Sequence, residues 1–165
     1  MQLQGSCHCQ AIRFEVESFT PYPFIYCYCS ICRKTAGGSG STANIMGEAK
    51  TLKIKGKRYL KIYHAILGKT KKNKLIRSRG RRHFCSRCGS CLWISDPRWT
   101  KWIYPFASAI DTPLPKPPVR YHVSLDSAAN WCEVPKGNRN LHFEEFPEES
   151  IEEWHKKRGL YKTHG

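Results

Sequence analysis

Nine cysteines punctuate this chain of 165 residues, and eight of them fall into three tight groups. Cys7 and Cys9 form a C-x-C pair, Cys27, Cys29 and Cys32 a C-x-C-x-x-C run, and Cys85, Cys88 and Cys91 a C-x-x-C-x-x-C run. Thiols one and two residues apart present several sulfurs to a single metal ion. A structural zinc is closed by four protein ligands, whereas a catalytic zinc has three and keeps one position open. Cys7 and Cys9 supply two sulfurs. Cys85 and Cys88, followed by the turn-forming Gly89, make a knuckle that supplies two more. These four read as one closed, structural zinc site. Cys27, Cys29 and Cys32 are left with three sulfurs, which reads as a second, catalytic zinc with a vacant position for substrate. Cys91 has two readings: it completes the central site, or it opens a strand and packs as a small buried hydrophobe. Cys132, beside Trp131, stands alone.

Zinc held by three thiolates can lower the pKa of an incoming thiol while leaving its sulfur electron-rich. That suits attack of a small thiol on an aldehyde carbon, and the reverse cleavage of a carbon–sulfur bond. Arg33 and Lys34, directly after Cys32, are candidates to bind substrate carboxylates. His8 is expected to face solvent, and His64 and His83 to be polar strand surface. A different kind of function is suggested by charge. The formal net charge is +15, and two zinc ions on seven thiolates would lower it only to about +12. From Lys50 to Arg82 there are fourteen Lys or Arg and no Asp or Glu. Such a strip, with Tyr59 and Tyr63 interleaved, fits either a solvated strand face or a nucleic-acid backbone. The competing reading is therefore a zinc-stabilised binding module with no catalysis.

The elements that must hold these groups are mostly β. Ile12, Phe14 and Val16 alternate with Arg13, Glu15 and Glu17, the mark of a half-buried strand. Further strands are expected at 51–55, 59–66, 75–84, 92–95, 102–108 and 120–124. Leu60, Ile62 and Ile66 are placed on one face of the second of these and Tyr59, Lys61 and Tyr63 on the other. Gly37–Ser41 reads as a loop over the central cysteines and lacks the G-K-[ST] ending of a phosphate loop. Lys69–Lys74 reads as an exposed hairpin tip. The single helix expected is 147–158, with glutamates first and Lys156, Lys157 and Arg158 last, matching the helix dipole. The length suits one domain spanning 1–165, with its core at about 5–146. No segment reads as a membrane span or an export signal. A cytoplasmic protein is expected, where clustered thiols hold zinc in preference to forming disulfides.

The order and spacing of G-S-C-H-C at 5–9, C-Y-C-S-I-C-R-K at 27–34 and H-F-C-S-R-C-G-S at 83–90 resemble the glutathione-dependent formaldehyde-activating enzyme family, which includes centromere protein V. The resemblance runs from about Gly5 to Leu92 and more loosely through Trp131 to Phe146. It implies a β-tent fold of layered antiparallel sheets. It implies a structural zinc on Cys7, Cys9, Cys85 and Cys88, and a catalytic zinc on Cys27, Cys29 and Cys32. The activity implied is that of a carbon–sulfur lyase joining glutathione and formaldehyde as S-hydroxymethylglutathione. Two residues depart from the family pattern: Gln10, where glycine is usual, and Cys91.

Overall fold

The computed structural model describes residues 1–162, which form twelve strands and two α-helices. In chain order these are β1 (Gln2–Ser6), β2 (Arg13–Glu17), β3 (Ile25–Cys27), α1 (Ser30–Ala36), β4 (Thr42–Ala43), β5 (Gly47–Glu48), β6 (Lys53–Lys55) and β7 (Leu60–Lys69). β8 (Leu75–Cys85), β9 (Cys91–Ser95), β10 (Trp102–Pro105), β11 (Arg120–Val123), β12 (Asn140–His142) and α2 (Ile151–Lys157) complete it. They make three sheets, ordered β1-β2-β6, β5-β10-β9-β8-β7 and β12-β11-β3-β4. The mostly β, largely antiparallel class expected from the sequence is what is found. The third sheet is mixed, because β11 runs parallel to both β3 and β12.

Two cores carry the two cysteine regions. Alternation along β2 buries Phe14 and Val16, which join Leu3, Ile12, Ile45, Leu92, Trp93 and Phe106 in the first core, with Cys7 and Cys85 among them. The second core holds Phe24, Ile25, Tyr121, Val123 and Trp154 together with Cys27 and Cys32. α2 closes it by stacking Trp154 flat on Phe24, ring centroids 3.9 Å apart. The helix begins later than 147 because Ser150 and Glu153 form a reciprocal capping box that fixes the first turn.

Two expectations need correction. α1 was not foreseen: seven residues give little periodicity, and the cap is a cysteine whose sulfur accepts from the Cys32 amide. The stretch 102–108 is a strand only to Pro105, after which Ala107–Ala109 turns as a 3-10 helix. Ile62 and Ile66 are 49% and 46% exposed. Both lie on β7, the edge strand of its sheet, and β9 pairs only with Arg81–Phe84 of β8, so from Ile66, opposite Arg77, onward β7 and β8 run as a two-stranded ribbon. Its turn lies within Lys69–Lys74, as expected of a hairpin tip.

Candidate metal centres

The first centre forms where two distant turns meet. At the β1–β2 turn the Cys7 amide donates to the Ile12 carbonyl and the Gln10 amide to the Cys7 carbonyl, at 3.0 and 2.9 Å. Gln10 sits at φ +58°, in the left-handed region that glycine occupies at least cost, so a side chain is tolerated here at some strain. At the other turn Gly89, φ +75°, returns its amide to the Cys85 carbonyl at 2.8 Å. The Cys7–Cys9 and Cys9–Cys85 sulfur separations are 3.6 and 3.8 Å. A tetrahedron of thiolates about a zinc at about 2.3 Å has sulfurs about 3.8 Å apart. All four sulfurs of Cys7, Cys9, Cys85 and Cys88 lie within 4.8 Å of one another. Backbone amides point at them, Ile12 N to Cys7 Sγ at 3.2 Å and Arg87 N to Cys85 Sγ at 3.4 Å. Burial pushes the Cys7 thiol up to about 11. For Cys88 burial opposes ionisation, yet the hydroxyl and amide of Ser90 bring the thiol down to about 5. A cation shared by the four sulfurs would resolve this uneven charging, and the donor set fits a closed zinc site.

The second centre lies where β3 passes into α1. Cys27 ends the strand, Cys29 caps the helix and Cys32 sits in its first turn, so the three sulfurs converge within 4.8 Å. Hydrogen bonds from the Cys27 and then the Cys32 thiol hold Cys29 well below the ordinary thiol range. The bond to Cys29, that to Cys32 and burial together push Cys27 strongly up. A cation shared by the three sulfurs would favour the thiolate at each of them, and the set fits a three-thiolate zinc.

Around these sulfurs stand residues that sequence reasoning passed over. Arg82 was counted in the basic strip, yet it is only 8% exposed and its Nη2 donates to Cys32 Sγ at 3.8 Å. Its Nε is buried without a partner, and among the described residues no ion pair engages it. A guanidinium is expensive to bury without an anion, so a cluster carrying thiolate charge is its natural counter-ion. Period-two alternation placed Arg82 on one strand face with Gly80 and Phe84, which was the available signal. The Thr42 hydroxyl beside Cys32 is likewise buried with no partner. Cys27 Sγ donates weakly to Ser124 Oγ at 3.8 Å, and Ser124 takes the left-handed φ of +58° to be there.

The remaining expected site residues divide. Arg33 is half-buried on α1 with its Nε unpartnered, while Lys34 is exposed. Cys91 lies outside the three-sulfur set: its thiol donates to the Thr35 carbonyl at 3.0 Å, in the last turn of α1. There it meets one of the carbonyls a helix C-terminus leaves free. His8 faces solvent as expected. His83 does not: it stacks on Trp93 and shares a hydrogen bond with Ser95 Oγ, because β9 covers it. Among the described residues no helix is long and apolar enough to cross a membrane.

Fold and sulfur clusters together define a small, mostly β protein able to hold metal through thiolates at two places. A family model described as glutathione-dependent formaldehyde-activating enzyme matches residues 2–123. A protein of Halomonas elongata, provisionally named as a glutathione-dependent formaldehyde-activating enzyme, is 50% identical over 160 residues, spanning 97% of this chain and 98% of that protein. The chain belongs to the glutathione-dependent formaldehyde-activating enzyme family. A Rhodobacter sphaeroides protein of solved structure is also similar, at 21% identity and TM-score 0.48, with 70% of this chain and 92% of that one covered.

Proposed function

We propose that the protein is a zinc-dependent carbon–sulfur lyase that joins a glutathione-like thiol to formaldehyde at Cys27, Cys29 and Cys32, with the other four cysteines holding a structural zinc. The observation that carries this reading is the incomplete sulfur set: three thiols converge, and Cys91, the sulfur the sequence offers as a fourth ligand, is engaged by the Thr35 carbonyl. Zinc bound there would stabilise the substrate as a thiolate. In the joining direction the substrate sulfur forms a bond to the carbonyl carbon, the carbon–oxygen π pair moves to oxygen, and the proton lost by the thiol ends on that oxygen. Arg82 holds Cys32 by donating toward its sulfur, with the Thr42 hydroxyl beside it. Arg33, half-buried one residue after Cys32, offers a guanidinium to a substrate carboxylate, with Lys34 behind it at the surface.

The test compares wild type with Cys29→Ala, following S-hydroxymethylglutathione formation from glutathione and formaldehyde by NMR against the uncatalysed rate. Wild type should exceed that rate, and Cys29→Ala should fall back to it while keeping its fold and one zinc equivalent. Wild-type protein holding two zinc equivalents yet adding nothing to the uncatalysed rate would overturn the reading.

A non-catalytic reading is favoured by one feature, the β7–β8 ribbon. It carries Lys69, Arg77 and Arg79, and a two-stranded ribbon fits the major groove of duplex DNA. Fluorescence anisotropy of a random duplex at low salt decides it: steeply salt-dependent binding supports a binding module, and no binding at low salt removes it.

A further inference from the structure

Of the large apolar side chains left exposed, six stand on β7 and β8. Four are on the free ribbon: Ile66, Leu67, Leu75 and Ile76, between 43% and 60% exposed. Ile62 and Tyr63 stand further along β7, the edge strand of its sheet. The end of the ribbon adds Lys69, Lys71, Lys72 and Lys74. Between Glu48 and Asp96 the chain has no acid. Among the described residues neither these lysines nor Arg77 has an ion-pair partner. Aliphatic side chains on an open edge strand are a surface that favours a cover. A cover that matches both features is acidic and apolar at once.

The chain itself carries such a surface. Eight of its thirteen Asp and Glu residues fall between Asp126 and Glu153. Within that span the segment 141–148 reads L-H-F-E-E-F-P-E. Leu141 and Phe146 are 40% and 62% exposed, and Glu144, Glu145 and Glu148 are exposed with them. The segment is held in place by its backbone. The carbonyls of Phe143, Glu144 and Glu145 accept from the amides of Leu125, Asp126 and Ser124 at 3.2, 3.4 and 3.1 Å. This draws Asp126 alongside Glu144. Among the described residues none of these four carboxylates has an ion-pair partner. Like charges gathered this way repel, and cations brought against them relieve the cost.

We propose that the protein forms a dimer in which the β7–β8 ribbon of each copy docks on segment 141–148 of the other. The aliphatics of the ribbon cover Leu141 and Phe146, and its lysines meet Glu144 and Glu145. Exchange in both directions closes the pair about a two-fold axis. Residues 62–77 and 141–148 together supply about the 20–30 residues a side of a standard interface. Other partners match less of what is seen. A phosphate backbone would satisfy the lysines and leave the aliphatics in water. An anionic bilayer would take the ribbon and leave the acidic segment uncovered. Two ribbons laid together would set lysine against lysine. The dimer stands independently of the chemistry proposed at the three cysteines.

Sedimentation velocity on the zinc-loaded protein tests it. Wild type should be a dimer at micromolar concentration in low salt and should dissociate as salt screens the pairs. Lys71→Glu/Lys72→Glu and Glu144→Lys/Glu145→Lys should each weaken dimerisation at least about tenfold, because like charges then face each other. An equimolar mixture of these two variants should recover a dimer, since each ribbon again meets opposite charge. Leu67→Ser should weaken it severalfold. All of these side chains are exposed, so each variant should keep its zinc content and Tm. Wild type that stays monomeric, a dimer indifferent to both charge reversals, or a mixture that remains monomeric overturns the proposal. Monomeric wild type that binds a random duplex or floats with anionic vesicles gives the ribbon to that partner and overturns it equally.

Discussion

The two sulfur clusters use the same residue in opposite ways. Cys7 and Cys9 reach Cys85 and Cys88 across most of the first core, so a metal there ties together turns more than seventy residues apart. Cys27, Cys29 and Cys32 come from one strand end and one helix turn. A cross-link contributes to stability chiefly by restricting the unfolded chain, and its contribution grows with the loop it closes, about 3 kcal/mol for 15 residues and nearer 5 for 100. The first cluster is placed to stabilise. The second closes almost no loop, and its neighbours Arg82, Thr42 and Ser124 are arranged around the sulfurs themselves. On the proposed function, stability and chemistry fall to different sulfur clusters.

The largest effect should come from breaking the first cluster. Cys85→Ala is expected to lose one zinc equivalent and on the order of 4 kcal/mol of stability. For a chain of this length that is on the order of 10 °C in Tm. Cys29→Ala should also lose one equivalent, with less than half that drop. Metal content by mass spectrometry and thermal unfolding check both. Equal losses of Tm from the two variants would remove the distinction.

Next comes Arg82, which should matter at one cluster and not the other. Arg82→Met removes a buried cation and the donor to Cys32, and groups that hydrogen-bond a metal ligand in this way are worth about 10–100-fold in metal affinity. Zinc release to a chromophoric chelator should therefore show a weakened three-sulfur phase and an unchanged four-sulfur phase. Arg82→Lys should recover part of the loss. Weakening of both phases alike would mean that Arg82 acts through general stability.

A smaller effect concerns acid. His155 is fully buried under the second core, accepting from the Tyr22 amide at Nε2 and engaging the Ile151 carbonyl at Nδ1. Burial pushes its pKa down, and protonation would set Nε2–H against the Tyr22 amide. The unfolded chain then binds the extra proton first, so stability is full above the ordinary histidine value and falls as pH drops below about 6.5. His155→Gln should flatten the dependence of Tm on pH in that window relative to wild type. An unchanged slope would show that His155 contributes nothing to it.

How far these regions were legible in the sequence follows the same division. The four-sulfur set could be read because its turns are marked by glycine and by tight cysteine gaps, and the strands feeding it alternate cleanly through Phe14 and Val16. The three sulfurs could be read too, but not what surrounds them. α1 is too short for periodicity to appear. Arg82 looks in sequence like its thirteen basic neighbours; only the pairing of β8 with both β7 and β9 buries it. The Tyr28–His122 hydrogen bond joins residues ninety-four positions apart through the parallel pairing of β3 with β11, which local pattern does not report.

The smallest expected effect bears on the whole comparison. Cys91 follows the knuckle by three residues, and if its sulfur completed the second cluster, both metal sites would be closed and alike. Its geometry argues otherwise: the thiol is spent on the Thr35 carbonyl, fastening the end of α1 to the start of β9. Cys91→Ala should therefore retain both zinc equivalents. It should cost about 1–2 kcal/mol, the sum of one hydrogen bond and a small void. Cys91→Ser keeps a donor of similar size and should recover most of that. Cobalt substitution makes the result sharp, since a four-thiolate centre and a three-thiolate centre with one exchangeable ligand differ in their visible spectra and in response to added thiol. If the second cobalt is lost with Cys91, or no longer responds to thiol in wild type, then the vacancy that separates a working site from a structural one does not exist.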